Sequence, residues 1–282
     1  MCDYNQEEGT VNLQSWDWIL VSSSGGKDSQ AMLDLVVCQA REAGVLDRVV
    51  VVHADLGRVE WQGTREIAEA QAKFYGVRFE VVKREQCDLL DHVKQRGMWP
   101  SPKQRYCTSD HKRAPIGRVI TQLTREAWTR DGSDHLPRKD RPQVRILNCM
   151  GLRAQESPSR AKLIAFEKNE RTSCGIRSVY DWLPIHHWKV QDVWARIKAS
   201  GAPVHPAYSL GMPRLSCCFC IFAPRAALIT AGKHNRALLD EYVQVEDEIG
   251  HRFRMDVSIR EVRDAVLANE AVDAAANDAW NM

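Results

Sequence analysis

Residues 19–37 read ILVSSSGGKDSQAMLDLVV. The apolar run Ile19, Leu20 and Val21 has the length and composition of a buried strand. Ser22 to Ser29 form a tight turn of small residues. Met32, Leu35, Val36 and Ala40 then recur at helical spacing, so the turn opens a helix. A helix N-terminus gathers backbone N–H groups and the positive end of the macrodipole, which favours a bound anion. Gly25 and Gly26 let the backbone approach a phosphate, and Ser24, Lys27 and Ser29 add donors. The spacing differs from the Walker A loop, which needs four residues between its first glycine and Gly-Lys-Ser/Thr.

Working outward, the apolar run Val49–Val52 reads as a parallel strand ending in His53-Ala54-Asp55-Leu56-Gly57. Polar residues at the carboxyl end of such a strand sit where open α/β sheets bind ligands, which places Asp55 and Gly57 near a nucleotide. His53 reads equally as a ligand contact or as a satisfied histidine at a strand end. The spacing predicts a helix over 60–75, a third strand over 77–82, a fourth over 144–147 and a fifth over 179–184. Strands alternating with helices predict a doubly wound, mostly parallel five-stranded sheet with right-handed crossovers. Gly151, Arg153, Glu156 and Arg160 follow the fourth strand. The two arginines can clamp phosphate oxygens and Glu156 can orient one of them. A further helix is expected over 190–199. Helical patterns over 224–249 and through Ile259, Val262 and Val266 lead into an alanine-rich acidic tail. The expected division is a nucleotide-binding α/β domain over 1–203 and a cysteine-containing, helical region over 204–282.

The chain has 282 residues, 44% hydrophobic and 27% charged, with a formal charge of +2. That balance makes no global case for nucleic acid or membrane binding. No apolar run reaches the roughly 18 residues of a membrane span, and the N-terminus lacks a signal-peptide pattern, so a cytoplasmic location is expected. Nine cysteines, an odd number in that compartment, point to metal, redox or core roles rather than a disulfide framework. Cys38 and Cys87 read as small core hydrophobes. Cys107 lies in the stretch 97–118, which carries Lys103, Arg105, His111, Lys112, Arg113 and Arg118. Such a loop suits a phosphate-rich ligand, and an electropositive setting favours the thiolate of Cys107. Cys217 and Cys220 form a C-x-x-C pair able to turn both sulfurs toward one metal or cluster, or to act as a redox pair. Cys107, Cys217 and Cys220 are expected to converge near the nucleotide. An iron–sulfur cluster, a zinc site completed by His111 or His205, and three unmetallated thiols are the alternatives.

Several ordered motifs together resemble the phosphoadenosine phosphosulfate (PAPS) reductase family within the PP-loop ATP pyrophosphatases. They are SGGKDS at 24–29, HADLG at 53–57, RYCTSDHKRAPI at 105–116, GLRAQES at 151–157 with Arg160, WLPIHHWKVQDVW at 182–194, and HPAYSLGMPRLSCCFC at 205–220. The resemblance implies an adenine nucleotide alpha hydrolase-like fold that binds ATP through Ser24 to Ser29, with Arg153 and Arg160 near its phosphates or the second substrate. It implies cleavage between the α- and β-phosphates and adenylylation of a substrate, with Lys27, Asp28 and Cys107 as candidate catalytic residues. Mg²⁺ is the expected counter-ion, Asp28 and Asp55 are candidate contacts to it or to the nucleotide, and a [4Fe–4S] cluster is a candidate cofactor.

Two departures bear on the reaction. Sulfonucleotide reductases attack sulfur with a cysteine on a C-terminal tail, whereas 62 residues without a thiol follow Cys220 here. Cluster-bearing reductases carry adjacent cysteines where this chain has Cys107-Thr108. The Arg214 to Cys220 pattern is similar to branches that include DNA-phosphorothioation sulfur-transfer proteins and proteins of phages, plasmids and defence loci. The leading expectation is therefore an ATP pyrophosphatase serving sulfur transfer to nucleic acid or a small molecule. Its expected partners are a nucleic acid or a sulfur-donor protein, and a second copy in a homodimer. A sulfonucleotide reductase and a non-catalytic nucleotide-binding accessory subunit are the alternatives.

Overall fold

The computed structural model describes residues 4–5 and 10–269, so the expected acidic tail lies outside the described residues. The chain forms two compact units that interleave in sequence. The first comprises Met1–Ala54, Arg65–Val82 and Pro115–Pro203; the second comprises Asp55–Thr64, Lys83–Ala114 and Val204–Met282. Residues 55–64 and 83–114, which the sequence reading placed with the nucleotide-binding domain, thus fold with the C-terminal segment. Local periodicity carries no information on such long-range grouping.

The first unit is built on strands β1 (Trp18–Ser23), β2 (Val49–Ala54), β3 (Arg78–Val82), β4 (Val144–Met150), β5 (Phe166–Lys168) and β6 (Arg177–Trp182). They form one sheet in the order β3-β2-β1-β4-β6-β5, parallel except for β5, which pairs antiparallel with β6. The five expected strands are present, and the edge strand β5 makes a sixth. Its three residues, Phe-Glu-Lys, are too few and too exposed to show alternation.

Helices cover both faces. In β1, Ile19 and Val21 pack on one side with Met32, Leu33 and Val36 of α1 (Lys27–Glu42). Leu20 packs on the other side with Val119, Ile120 and Leu123 of the helix Ala114–Asp131. Successive strand residues point to opposite faces, so a strand covered on both must be apolar throughout. That is why Val49–Val52 reads as an unbroken valine run. Register pairs Ile19 with Val49 on one side and with Leu147 on the other, making β1 the centre of the sheet. From β1 the chain winds first through β2 and β3, then returns to β4 on the opposite side. The β1–β4 boundary is therefore the topological switch point, and the loops after both strands open onto it.

The second unit is helical, with Leu89–Arg96, Arg225–His234, Arg236–Ile249 and Ile259–Leu267. Trp99 stacks on Tyr242 with ring centroids 5.2 Å apart, and Phe219 and Phe253 complete an aromatic centre. The helix expected over 224–249 is broken at Asn235, whose φ of −132° and ψ of 54° are not helical. The stretch 97–118 is not wholly a loop. Tyr106–Thr108 forms a helical turn, Ser109–Arg113 a π-helix, and Ala114 opens the long helix. Cys38 and Cys87, expected in the core, are both half-buried. A short polar thiol tolerates that position, and Cys87 Sγ lies 3.6 Å from Gln95 Oε1. Among the described residues no helix is long and apolar enough to cross a membrane.

Candidate active site

Gly26 is the N-cap of α1 and supplies no side-chain cap, so the helix start is shaped by backbone and by the serines before it. Ser29 Oγ donates to Gly26 O at 2.9 Å and accepts from Ser24 N at 3.2 Å. Gly25 N donates to Ser23 Oγ at 3.2 Å. Gly25 has φ +69°, a left-handed conformation that a glycine adopts without strain. These bonds fold residues 23–29 into one closed turn at the carboxyl end of the central strand.

Lys27 is 4% exposed, and its Nζ lies 3.2 Å from Asp28 Oδ2. The other carboxylate oxygen, Asp28 Oδ1, accepts from Arg153 Nε at 2.6 Å. Arg153 is likewise 4% exposed, and its guanidinium also donates to Gln155 Oε1 at 2.8 Å and Trp188 O at 3.3 Å. One carboxylate therefore holds two buried cations, which brings the loop after β1 and the loop after β4 together at the switch point. Gly151 makes that approach possible. A Cβ there would stand 2.8 Å from Asp28 O and 3.0 Å from Ser29 N, closer than real contacts allow. Glu156 accepts from Arg153 N at 2.9 Å and pairs with Arg160, so the expected orienting carboxylate sits beside both arginines.

His53 is buried, with Nδ1 3.1 Å from Ser23 O, against the turn at the end of β1. His186, in the stretch 182–194, is buried with Nε2 2.9 Å from Arg160 O. Asn148, on β4, donates to Asp181 at 2.7 Å. Asp55 and Gly57 belong to the second unit. Asp55 Oδ1 accepts from Gly57 N at 2.7 Å, and Gly57 has φ +74° with Asp88 Cβ 3.2 Å from where its own Cβ would stand. Both serve a tight turn.

Mg²⁺ needs few protein ligands because it binds through one or two carboxylates and the phosphates of its nucleotide. Asp28 is already committed to Lys27 and Arg153, and Asp55 to its turn. The residues present therefore fit an ion carried by phosphate oxygens rather than a protein cage.

The second unit brings the three predicted cysteines together. Burial pushes the Cys107 thiol above its ordinary range, and the neighbouring Cys220 adds to it, while Lys112 and Arg105 pull the other way. Burial also raises Cys217 well above that range, with Lys112 opposing and Cys220, Glu60 and Cys107 reinforcing. The expectation that basic neighbours favour a Cys107 thiolate is thus reversed, since desolvation outweighs the nearby charges. Cys218 is buried, its N donates to Val59 O at 2.8 Å, and its thiol is pushed up to about 12 by burial. The alternative zinc ligands are engaged elsewhere. His111 Nε2 lies 2.9 Å from His92 Nδ1, and His205 Nε2 lies 3.3 Å from Thr64 Oγ1. Three soft, half-buried sulfurs, two of them near Lys112, suit a thiolate-ligated centre in chemistry. Among the described residues, however, no three His, Cys, Asp or Glu side chains stand at metal-binding spacing.

A 27% identical relative, an uncharacterised 37.8 kDa protein of Escherichia phage 186, aligns over 78% of this chain and 70% of its own length. An adenosine 5′-phosphosulfate reductase of Allochromatium vinosum is 25% identical over 78% of this chain and 73% of its own. Among solved structures, a Candida auris PAPS reductase in phosphate complex is 18% identical with a TM-score of 0.47, covering 73% of this chain and 83% of that one. The model of the phosphoadenosine phosphosulfate reductase domain matches residues 18–223, from the first residue of β1 to just past the C-x-x-C pair. With that match spanning most of its length, the chain belongs to the phosphoadenosine phosphosulfate reductase domain family.

Proposed function

We propose that the chain is a PP-loop ATP pyrophosphatase that cleaves ATP between the α- and β-phosphates and adenylylates an acceptor oxygen. The observation that carries this reading is Asp28 bridging Lys27 and Arg153 at the switch point. That carboxylate fixes two buried cations beside a glycine turn at a helix start, a preorganised arrangement for charge that develops on a leaving pyrophosphate. The acceptor oxygen would attack the α-phosphorus. A new oxygen–phosphorus bond forms as the α–β bridging bond breaks, and pyrophosphate departs with the electron pair. Mg²⁺, carried on the phosphates, would supply further neutralisation. Lys27 and Asp28 are the proposed catalytic pair, with Ser24, Gly25, Gly26, Ser29, Gly151, Arg153 and Arg160 around the nucleotide. Adenylylation turns a poor leaving group into a good one, which suits later replacement of oxygen by sulfur on a nucleic acid or a small molecule. Pyrophosphate release from ATP, abolished in Lys27→Ala, tests the reading; release that persists in that variant would refute it.

For the second unit we propose that Cys107, Cys217 and Cys220, which neighbour one another without standing at metal-ligand spacing, would close around an iron–sulfur centre on binding it, with the fourth position supplied from outside this trio. Such a centre would carry sulfide or electrons, and binding it would draw protons from the Cys107 and Cys217 thiols, which burial keeps neutral. Iron and acid-labile sulfide in an anaerobic preparation, both lost in Cys217→Ser, are expected. A preparation free of iron after reconstitution would contradict the centre. The reductase relative favours a second reading, reduction of a sulfonucleotide with a partner's thiol. Sulfite released from adenosine 5′-phosphosulfate would support it.

A further inference from the structure

The second unit contains a cavity of about 470 Å³ lined by Arg96, Arg105 and Arg113, with Gln104, Thr108 and Ser109 on its walls. Every lining residue lies within residues 96–113, on the end of the helix Leu89–Arg96, the loop after it, and the turn and π-helix that follow. That volume falls in the range of small-molecule sites, roughly 300–1,000 Å³.

Several arginines elsewhere in the protein are held by acids, and Arg130, Arg141 and Arg145 lie over tryptophan rings. Arg58, Arg78, Arg153, Arg252, Arg254 and Arg260 each pair with a carboxylate. Arg96 instead lies over the Tyr106 ring at 4.5 Å, and Arg105 over the Phe222 ring at 4.9 Å. Among the described residues neither is paired with an acid. An aromatic face fixes a guanidinium plane while leaving its edge donors and its charge available. Asp110 is the single acid on the wall. It accepts from Ser109 Oγ at 2.6 Å and faces Arg84 at 3.6 Å, so it offsets only part of the charge. Two hydroxyls and an amide supply neutral donors beside the cations. The planar forks of Arg96 and Arg105, around a cavity of small-molecule size, match the oxygens of a phosphate ester.

We infer that this cavity is a binding site for the phosphate group of a small, nucleotide-sized phosphate ester. The site is built from residues of the second unit alone and does not depend on the ATP chemistry proposed for the first. Calorimetric titration of the full chain with ribose 5-phosphate and with uridine 5′-monophosphate tests it. Binding is expected in the wild type and in Lys27→Ala alike, and weakened by about tenfold or more in Arg96→Gln and in Arg105→Gln, the scale of a lost charge-assisted bond. Arg105→Lys, which keeps the charge and loses the fork, should fall between. Circular dichroism of each variant separates lost binding from lost folding, and Gln104→Ala, away from both ring contacts, gives an independent weakening. Absence of binding by either probe, binding lost in Lys27→Ala, or binding indifferent to all these variants would overturn the assignment. A twelve-nucleotide oligothymidylate that binds where neither small ester does would overturn it too, in favour of a strand-binding surface.

Discussion

Lys27, Asp28 and Arg153 form a chain of charge in which each member depends on the next. Removing Lys27 leaves Asp28 paired with Arg153, so the fold should survive while one charge-assisted contact to the nucleotide is lost. Lys27→Ala is expected to weaken ATP binding by about 1.5–3 kcal/mol, measured by calorimetry, with unchanged circular dichroism. An unaltered dissociation constant would remove Lys27 from the site. Gly151 makes a steric prediction of its own. Gly151→Ala forces a methyl against Asp28 O and Ser29 N and should cost about 1–3 kcal/mol of stability, read by denaturant titration, with weaker ATP binding alongside. Equal stability would mean that the close approach is not held in solution. At Cys107, burial keeps the thiol protonated at neutral pH. Iodoacetamide should therefore label exposed Cys174 well before Cys107 in metal-free protein, as peptide mass spectrometry would show. Faster labelling of Cys107 would restore the activated-thiolate reading.

At the scale of elements, legibility followed how local the information is. The strands through Ile19, Val49 and Leu147 announce themselves because each is buried on both faces, and the turn 24–29 because its chemistry is contiguous. The pairing of Arg153 with Asp28 joins residues 125 apart, so only the two motifs were visible and not the bond between them. The helix Leu89–Arg96 carried too short an apolar stripe to stand out, and the break at Asn235 was hidden by periodicity that continues across it. The π-helix Ser109–Arg113 was likewise unreadable, because a widened turn leaves no pattern in residue types. It buries His111 against His92, and burial first, then His92 and Arg84, lowers the His111 pKa to about 4, with Asp110 opposing. His92 is lowered as well, mainly by burial. A histidine whose folded pKa lies below its unfolded value of about 6.5 takes up its proton more readily when unfolded. Stability is therefore full above pH 6.5 and falls as pH drops toward 4, with a limiting slope of about 1.4 kcal/mol per pH unit for each proton. Thermal melts from pH 7.5 to 4.5 should show that fall, and His111→Gln should flatten it. An unchanged slope in the variant would place the acid sensitivity elsewhere.

On the scale of the whole molecule, the first unit is a doubly wound sheet with its switch point between β1 and β4, and the helical second unit carries Cys107, Cys217 and Cys220. The family match runs from residue 18 to residue 223 and so takes in residues of both units, and the central proposal is that the loop at the switch point grips a departing pyrophosphate. Products of ATP turnover test this most directly. The full chain, prepared anaerobically, is incubated with Mg²⁺ and ATP labelled separately at the α- and γ-phosphates, and the products are resolved by anion-exchange chromatography. The account predicts that the γ-label appears in pyrophosphate and the α-label in AMP or an adenylylated acceptor. The γ-label in inorganic phosphate, with the α-label in ADP as the sole nucleotide product, would contradict it.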